Sequence, residues 1–301
     1  MRHILHKEFF GTHMEKYRYQ LNFADTVWTF DLPVEVEVDD NCKPFLTFTD
    51  HTDVLFSYRF GEPDPSLEEK VQDNDPTVWR GSEYIRVERL LVLSRTPGSC
   101  YYLKGEPFKI DGLIYPGKEK LFETLDKIIN VSDLEVHLAS IDAISLHSSL
   151  IRYQDRAILF SAPSGTGKST QADLWKQYRG ADPINGDRSI IRKKDGKWTA
   201  YGSPYAGTSG LFRNESVPIR TIVVLRQSEE NTVRLLGQGE AFRYLYSETV
   251  VPRWNQEAHS HIMDIITQIT AEIPVVMLSC RPEESAVNLL DQFLQEELHD
   301  R

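Results

Sequence analysis

Cysteine is scarce in this chain. Cys42, Cys100 and Cys280 are three in 301 residues, odd in number and widely spaced, and none stands in a CxxC or Cys/His ligand spacing. That excludes a disulfide framework and a zinc site, and it predicts a reducing compartment, the cytoplasm. Long apolar runs are missing as well. No stretch approaches the roughly 20 residues of a membrane span, and the opening MRHILHKEFF carries charges where a signal peptide needs an unbroken apolar core. The expectation is a soluble protein with no membrane partner. Positive charge is in deficit: 34 Lys and Arg against 45 Asp and Glu leave −11, which opposes adhesion to nucleic acid. Repeats and low-complexity tracts are absent too. What remains is 40% hydrophobic, 11% aromatic and 26% charged, a globular composition at a length that suggests about two domains.

From residue 17 to about 115 the pattern is one of short aromatic and β-branched stretches punctuated by Asp, Pro and Gly, at 17–23, 27–30, 45–48, 54–60, 84–93 and 101–103. These suit an antiparallel sheet. The acid- and Pro-rich stretch 61–76 reads as a mobile loop. No catalytic motif falls in this half, which is expected to be a β-rich (α+β) accessory or recognition domain, residues 1–133. Helical spacing follows at 118–130, with Leu121, Phe122, Leu125, Ile128 and Ile129 on one face, and again at 134–150. Residues 134–301 then interleave strands (157–161, 221–225, 275–278) with helices (169–178, the Ile-rich face ending at Pro274, and a last helix started by Arg281-Pro-Glu-Glu). A hairpin at 189–192 and 198–201 turns on Asp195-Gly196. This predicts an α/β domain.

The chemistry is concentrated where the strand 157–161 runs through Ala162-Pro163 into Ser164, Gly165, Thr166, Gly167, Lys168, Ser169 and Thr170, and on into a helix. Strand, glycine loop and helix form the setting of a P-loop. Glycines let successive N–H groups turn inward onto phosphate oxygens, and the helix N-terminus adds its positive dipole end. Lys168 is placed for the β/γ-phosphates and the Ser169 hydroxyl for Mg²⁺. The pattern GxxxxGK(S/T) has Gly where this chain has Ala162. Neither the Asn-Lys-x-Asp of GTPases nor the Leu-Ser-Gly-Gly-Gln of ABC ATPases occurs, which leaves kinases and their relatives. Asp187, nineteen residues after Lys168, is a carboxylate that can hold Mg²⁺ or accept the proton of an attacking hydroxyl. His147 stands twenty-one residues before Lys168, where a histidine alone is most simply a hydrogen-bonded core residue. The aromatic strip Trp198, Tyr201, Tyr205 and Phe212 beside the Gly-rich stretch 202–210 reads first as hairpin core and turn glycines.

Together, residues 146–279 resemble the catalytic domain of the HPr kinase/phosphorylase family, serine kinases related to phosphoenolpyruvate carboxykinase. The resemblance implies that His147 assists the active-site carboxylate, that residues 164–170 form the phosphate loop, and that Asp187 is the general base and a metal ligand. It makes Arg253, in Val-Pro-Arg-Trp-Asn, a candidate for neutralising the transferring phosphoryl group. The family's acidic pair is here Gly186-Asp187, a single carboxylate, and its Glu-containing Gly-rich signature becomes the acid-free stretch 201–210. These departures, and a first half unlike the family's regulatory domain, favour a stand-alone serine kinase over a reversible HPr enzyme. The implied reaction is ATP- and Mg²⁺-dependent transfer of a γ-phosphoryl group to a serine of a protein or peptide. The alternatives are a kinase of a small hydroxyl-bearing metabolite and a non-enzymatic nucleotide-binding module. Homo-oligomerisation is left open. An acidic chain that binds a polyanion must gather its cations locally, so Lys168, Arg188 and Arg253 are expected in one cleft.

Overall fold

The computed structural model describes residues 7–8, 16–63, 78–80, 85–90, 97–104, 108–205 and 207–297. The expected loop at 61–76 lies outside them from residue 64 onward. Chain contacts divide the protein into two units, 1–137 with 253–255, and 138–252 with 256–301. The division falls four residues after the expected 133/134 boundary, and three residues of the second half group with the first unit.

The first unit is built on an eight-stranded sheet. Its strands are β1 (Lys7–Glu8), β2 (Lys16–Phe23), β3 (Thr26–Leu32), β4 (Val54–Phe60), β5 (Val78–Arg80), β6 (Ile85–Leu90), β7 (Pro97–Leu103) and β8 (Lys109–Ile114), in the order β1-β2-β3-β4-β8-β7-β6-β5. The sheet is mixed rather than antiparallel, because β4 runs parallel to both β3 and β8. β3 is buried along its whole length, and Trp28 stacks on Phe23 while Phe30 stacks on Phe56. Rings of this size remove large apolar areas from water and anchor such a core. The strand expected at 45–48 is instead a 3-10 turn, Lys43–Phe45, with only an isolated bridge from Leu46 to Leu21. Pro44, lacking an N–H, suits the first turn of a helix better than a sheet ladder. The helix expected over 118–130 is broken. A 3-10 segment, Glu119–Phe122, precedes α1 (Leu125–Val131), and Thr124 caps α1 by accepting from the Lys127 N–H.

Residues 134–150 do not form one helix either. α2 (Leu134–Ser140) ends, Asp142 takes φ +57°, and the chain enters an eleven-residue strand, β9 (Ala143–Tyr153). β9 is buried on both sides for most of its length, and its sequence AISLHSSLIRY, with Ser145, Ser148 and Ser149 buried among apolar residues, carries no two-residue alternation to distinguish it from a helix. The second unit continues with β10 (Arg156–Ser161), α3 (Lys168–Arg179), β11 (Asp182–Asn185), β12 (Arg188–Lys194), β13 (Lys197–Tyr201), β14 (Ser216–Gln227), β15 (Thr232–Leu235), α4 (Gln238–Glu248), α5 (Gln256–Glu272), β16 (Val275–Cys280) and α6 (Glu284–Glu296). β12 and β13 form the expected hairpin, with Asp195 and Gly196 both at positive φ. No described helix is long and apolar enough to cross a membrane.

Two long strands each serve two sets of neighbours. Residues 143–147 of β9 pair with β12, whereas 148–153 pair with β10 on one edge and 150–152 with β11 on the other. β14 likewise pairs with β13 at its start, then with β10 and β16. The ladder β10-β9-β12-β13-β14 therefore closes back onto β10. α3 and α6 cover the β10, β14 and β16 face, where Trp175, Phe160, Ile158, Val223, Leu278 and Leu290 are buried together. β10 is thus central, parallel to β14, and its carboxyl end opens directly into the glycine loop.

Candidate active site

The loop after β10 has the backbone its glycines permit. Gly165 and Gly167 stand at φ +79° and +115°, a region that L side chains rarely adopt. α3 begins at Lys168 with Gly167 at its N-cap, so its first N–H groups face the loop. The loop is tied at Thr166 N–H to Pro163 O (3.3 Å), and the Gln227 amide reaches the carbonyls of Gly165 and Thr166 at 3.4 Å. Ser164, Gly165, Ser169 and Thr170 are exposed, Thr166 and Gly167 half-buried, and Lys168 buried. The Lys168 ammonium donates to the Ala162 carbonyl at 2.8 Å. Burial pushes this ammonium below its ordinary range, against the Glu248 and Asp187 carboxylates that act to raise it. Both acids therefore lie within electrostatic reach of the loop lysine.

Asp187 is set where the chain leaves β11 for β12, beside the point at which β9 changes partners. The Ser148 N–H donates to the Asp187 carbonyl at 2.8 Å, and Arg188 pairs with His147 across the ladder. That pairing brings the sequence-predicted His147 and Asp187 together, with Nε2 3.6 Å from Oδ1. Asn185 holds the turn by accepting from the Asp187 N–H at 3.1 Å while donating to the carbonyls of Ser203 and Tyr205. The Arg188 Nε stands 3.8 Å from the other Asp187 oxygen, and its guanidinium lies over the Tyr205 ring at 5.0 Å. His147 and Asp187 remain 26% and 31% exposed, so the cluster is open to solvent and to a substrate.

Two further features complete the site, and the first carries no local sequence signal. Glu248, the last residue of α4, points its Oε2 to His147 Nδ1 at 3.1 Å and is 13% exposed. This carboxylate comes from a helix end sixty-one residues beyond Asp187. The Gly-rich stretch is the other feature. A Cβ on Gly207, whose φ is +53°, would meet the Asp187 carboxylate at 2.8 Å, and one on Gly186 would collide with Ser209. This segment, read from sequence as turn glycines, is packed against the acid turn. Tyr205 joins the site beneath Arg188, whereas Trp198 donates to Glu272 at 3.0 Å and belongs to the hairpin core.

Arg253 is exposed and groups with the first unit. Within the second unit, Arg188 stands 3.8 Å from Asp187, and the Asp187 carboxylate acts electrostatically on Lys168.

A metal requirement can be judged from the donors. Among the described residues no group of three or more His, Cys, Asp or Glu side chains is arranged to hold a metal ion. Mg²⁺ is usually held by one or two protein oxygens, with water and phosphate completing its octahedron. One hydroxyl, Ser169, and one carboxylate, Asp187, fit that need.

A family model described as "SynChlorMet cassette protein ScmC" matches residues 114–283, just over half of the chain. No curated protein matches. Among solved structures, the Hpr(Ser) kinase/phosphatase from Coxiella burnetii is similar at 11% identity, over 52% of this chain and 94% of that one, with a TM-score of 0.30. A likeness of that degree carries no functional statement.

Proposed function

The chain belongs to the SynChlorMet cassette protein ScmC family, and we propose that it is an ATP- and Mg²⁺-dependent kinase that transfers the γ-phosphoryl group to a serine hydroxyl of a protein or peptide. Supporting this reading are the glycine loop that runs into Lys168 at the start of α3 and the His147, Asp187 and Glu248 cluster, whose two acids act electrostatically on that lysine. The acids beside the loop support the kinase reading over a nucleotide-binding module without chemistry, because Asp187 is placed to accept a proton as well as to hold a metal ion.

In this reading the N–H groups of residues 164–170 and the Lys168 ammonium bind the phosphates. Lys168 exchanges its bond to the Ala162 carbonyl for phosphate oxygens. Ser169 and Asp187 would hold Mg²⁺, which supplies neutralisation of charge on the β- and γ-phosphates when bound. Asp187 accepts the proton as the acceptor oxygen bonds to the γ-phosphorus, and the bond from that phosphorus to the bridging oxygen of ADP breaks. Arg188, flattened over Tyr205, stands beside the same carboxylate as a local cation. Asn185 and Gly207 fix where the carboxylate sits. Arg253 is a further candidate for the transferring group, drawn from the family resemblance.

Incubating the full chain with γ-labelled Mg·ATP and a lysate of its source cell, then identifying the labelled species, tests the proposal. A labelled polypeptide carrying phosphoserine supports it. A labelled metabolite moves the acceptor to a small hydroxyl compound, and the absence of any label that depends on Lys168 overturns kinase activity.

A further inference from the structure

We infer that Glu248 is a positioning residue of this site: it orients the His147 ring through Nδ1 so that Nε2 faces the Asp187 carboxylate. The inference deepens the kinase reading and rests on it for the chemistry at Asp187.

The local structure at Glu248 breaks a rule without structural gain. An acid at the last position of an α-helix faces the negative end of the macrodipole, where cations are favoured. It is also largely withdrawn from water, at 13% exposure. Local rules broken in this way mark sites where another demand prevails. The backbone then fixes the carboxylate next to the imidazole. Thr249 bridges Leu146 on β9, the Val250 N–H donates to the Ser145 carbonyl at 3.1 Å, and the Thr249 hydroxyl donates back to the Leu245 carbonyl at 2.8 Å. The end of α4 is thereby stitched to the strand that carries His147. α4 itself packs against α5 and β9.

A neutral imidazole has one N–H and one lone pair, and the group bonded to one nitrogen selects which is which. Glu248 at 3.1 Å from Nδ1 selects the Nδ1–H tautomer. The same ring orientation turns Nε2 toward Asp187 Oδ1, at 3.6 Å. A neighbour of the base that is itself oriented by a third group follows the general logic by which a reactive centre is held in register. Removing an orienting partner of this kind commonly costs about 10–100-fold.

The test uses the full chain with Glu248→Leu and Glu248→Gln. Glutamine keeps an oxygen that can accept from Nδ1–H, and leucine does not. The expected result with γ-labelled Mg·ATP is a kcat about 100-fold lower for Glu248→Leu, recovered to within about tenfold by Glu248→Gln, with the nucleotide Kd of both variants within about threefold of the parent. Nitrogen NMR of ¹⁵N-histidine-labelled protein, with the His147 signal identified by its loss in His147→Gln, supplies a readout independent of turnover. The parent should show Nδ1–H for the neutral ring, and Glu248→Leu should lose that preference. Parental kcat in Glu248→Leu, or a Glu248→Gln protein as impaired as Glu248→Leu, overturns the assignment. If no phosphoryl transfer is found even in the parent, the kinase reading fails, and the NMR result alone decides whether Glu248 positions His147.

Discussion

Each unit contains a carboxylate set among a cation and a ring, and the two are held very differently. In the first unit Asp133 accepts from Arg89 at 2.6 Å and from the Tyr101 hydroxyl at 2.7 Å, with Tyr101 fully buried. Nearby, Tyr58 and Ser132 share a 2.9 Å bond, and burial drives both tyrosine hydroxyls well above their ordinary range. In the second unit the His147 ring and the Arg188 guanidinium stand off from Asp187 at 3.6 and 3.8 Å, on a turn that is one-third exposed. Short bonds in a buried setting consume a carboxylate's lone pairs in holding the fold. Long contacts on a chain crossing leave them for a ligand. The difference separates a structural acid from a candidate catalytic one where residue type alone cannot.

Substitutions at the two sites should therefore fail in different ways. The largest effect is expected at Lys168. Its replacement by Ala removes charge-assisted bonds worth about 3 kcal/mol, so the Kd for Mg·ATP by calorimetry should rise about 100-fold or more with little change in melting temperature. Gly207→Val comes next. Its Cβ would press on the Asp187 carboxylate from a left-handed backbone, and turnover should fall about 10–100-fold while nucleotide affinity holds. In the first unit, Tyr101→Phe should do the reverse. Losing one buried bond to Asp133 costs about 1–2 kcal/mol, read as a lower unfolding midpoint, with phosphoryl transfer unchanged.

The smallest effect lies in a charge cluster away from the glycine loop. Burial pushes the Asp182 carboxyl up, but bonds from Arg213 and Arg152 outweigh it and hold the group below its ordinary range. A carboxyl favoured as its anion in the folded state stabilises above its unfolded pKa of about 4 and loses that contribution as pH falls through the folded value. Because the pair is partly exposed, Asp182→Asn should lower the melting temperature only slightly at pH 7. Parent and variant should converge in acid.

What the sequence disclosed follows from how local each signal is. The glycine loop, α3 and the Asp195-Gly196 hairpin are written in adjacent residues, because positive φ and the strand-to-helix change are local demands. β9 is different. Its buried serines mix with apolar residues on both sides, leaving no period of two, so it reads equally as helix, and only the break at Asp142 and its pairing partners settle the matter. The parallel pairings of β4 depend on strands distant in the chain and leave no mark in it. Glu248 was hidden for the same reason. Its role is defined by a tertiary contact with His147, 101 residues away, and its helix end offers no motif.

In the proposed reaction Asp187 does chemistry on a nucleotide held by the glycine loop. The most direct measurement compares the full chain with Asp187→Asn, following γ-labelled Mg·ATP for both binding and phosphoryl transfer. Binding within about threefold of the parent together with a loss of transfer of about 100-fold or more is the predicted result. Transfer at the parent's rate from Asp187→Asn would contradict it.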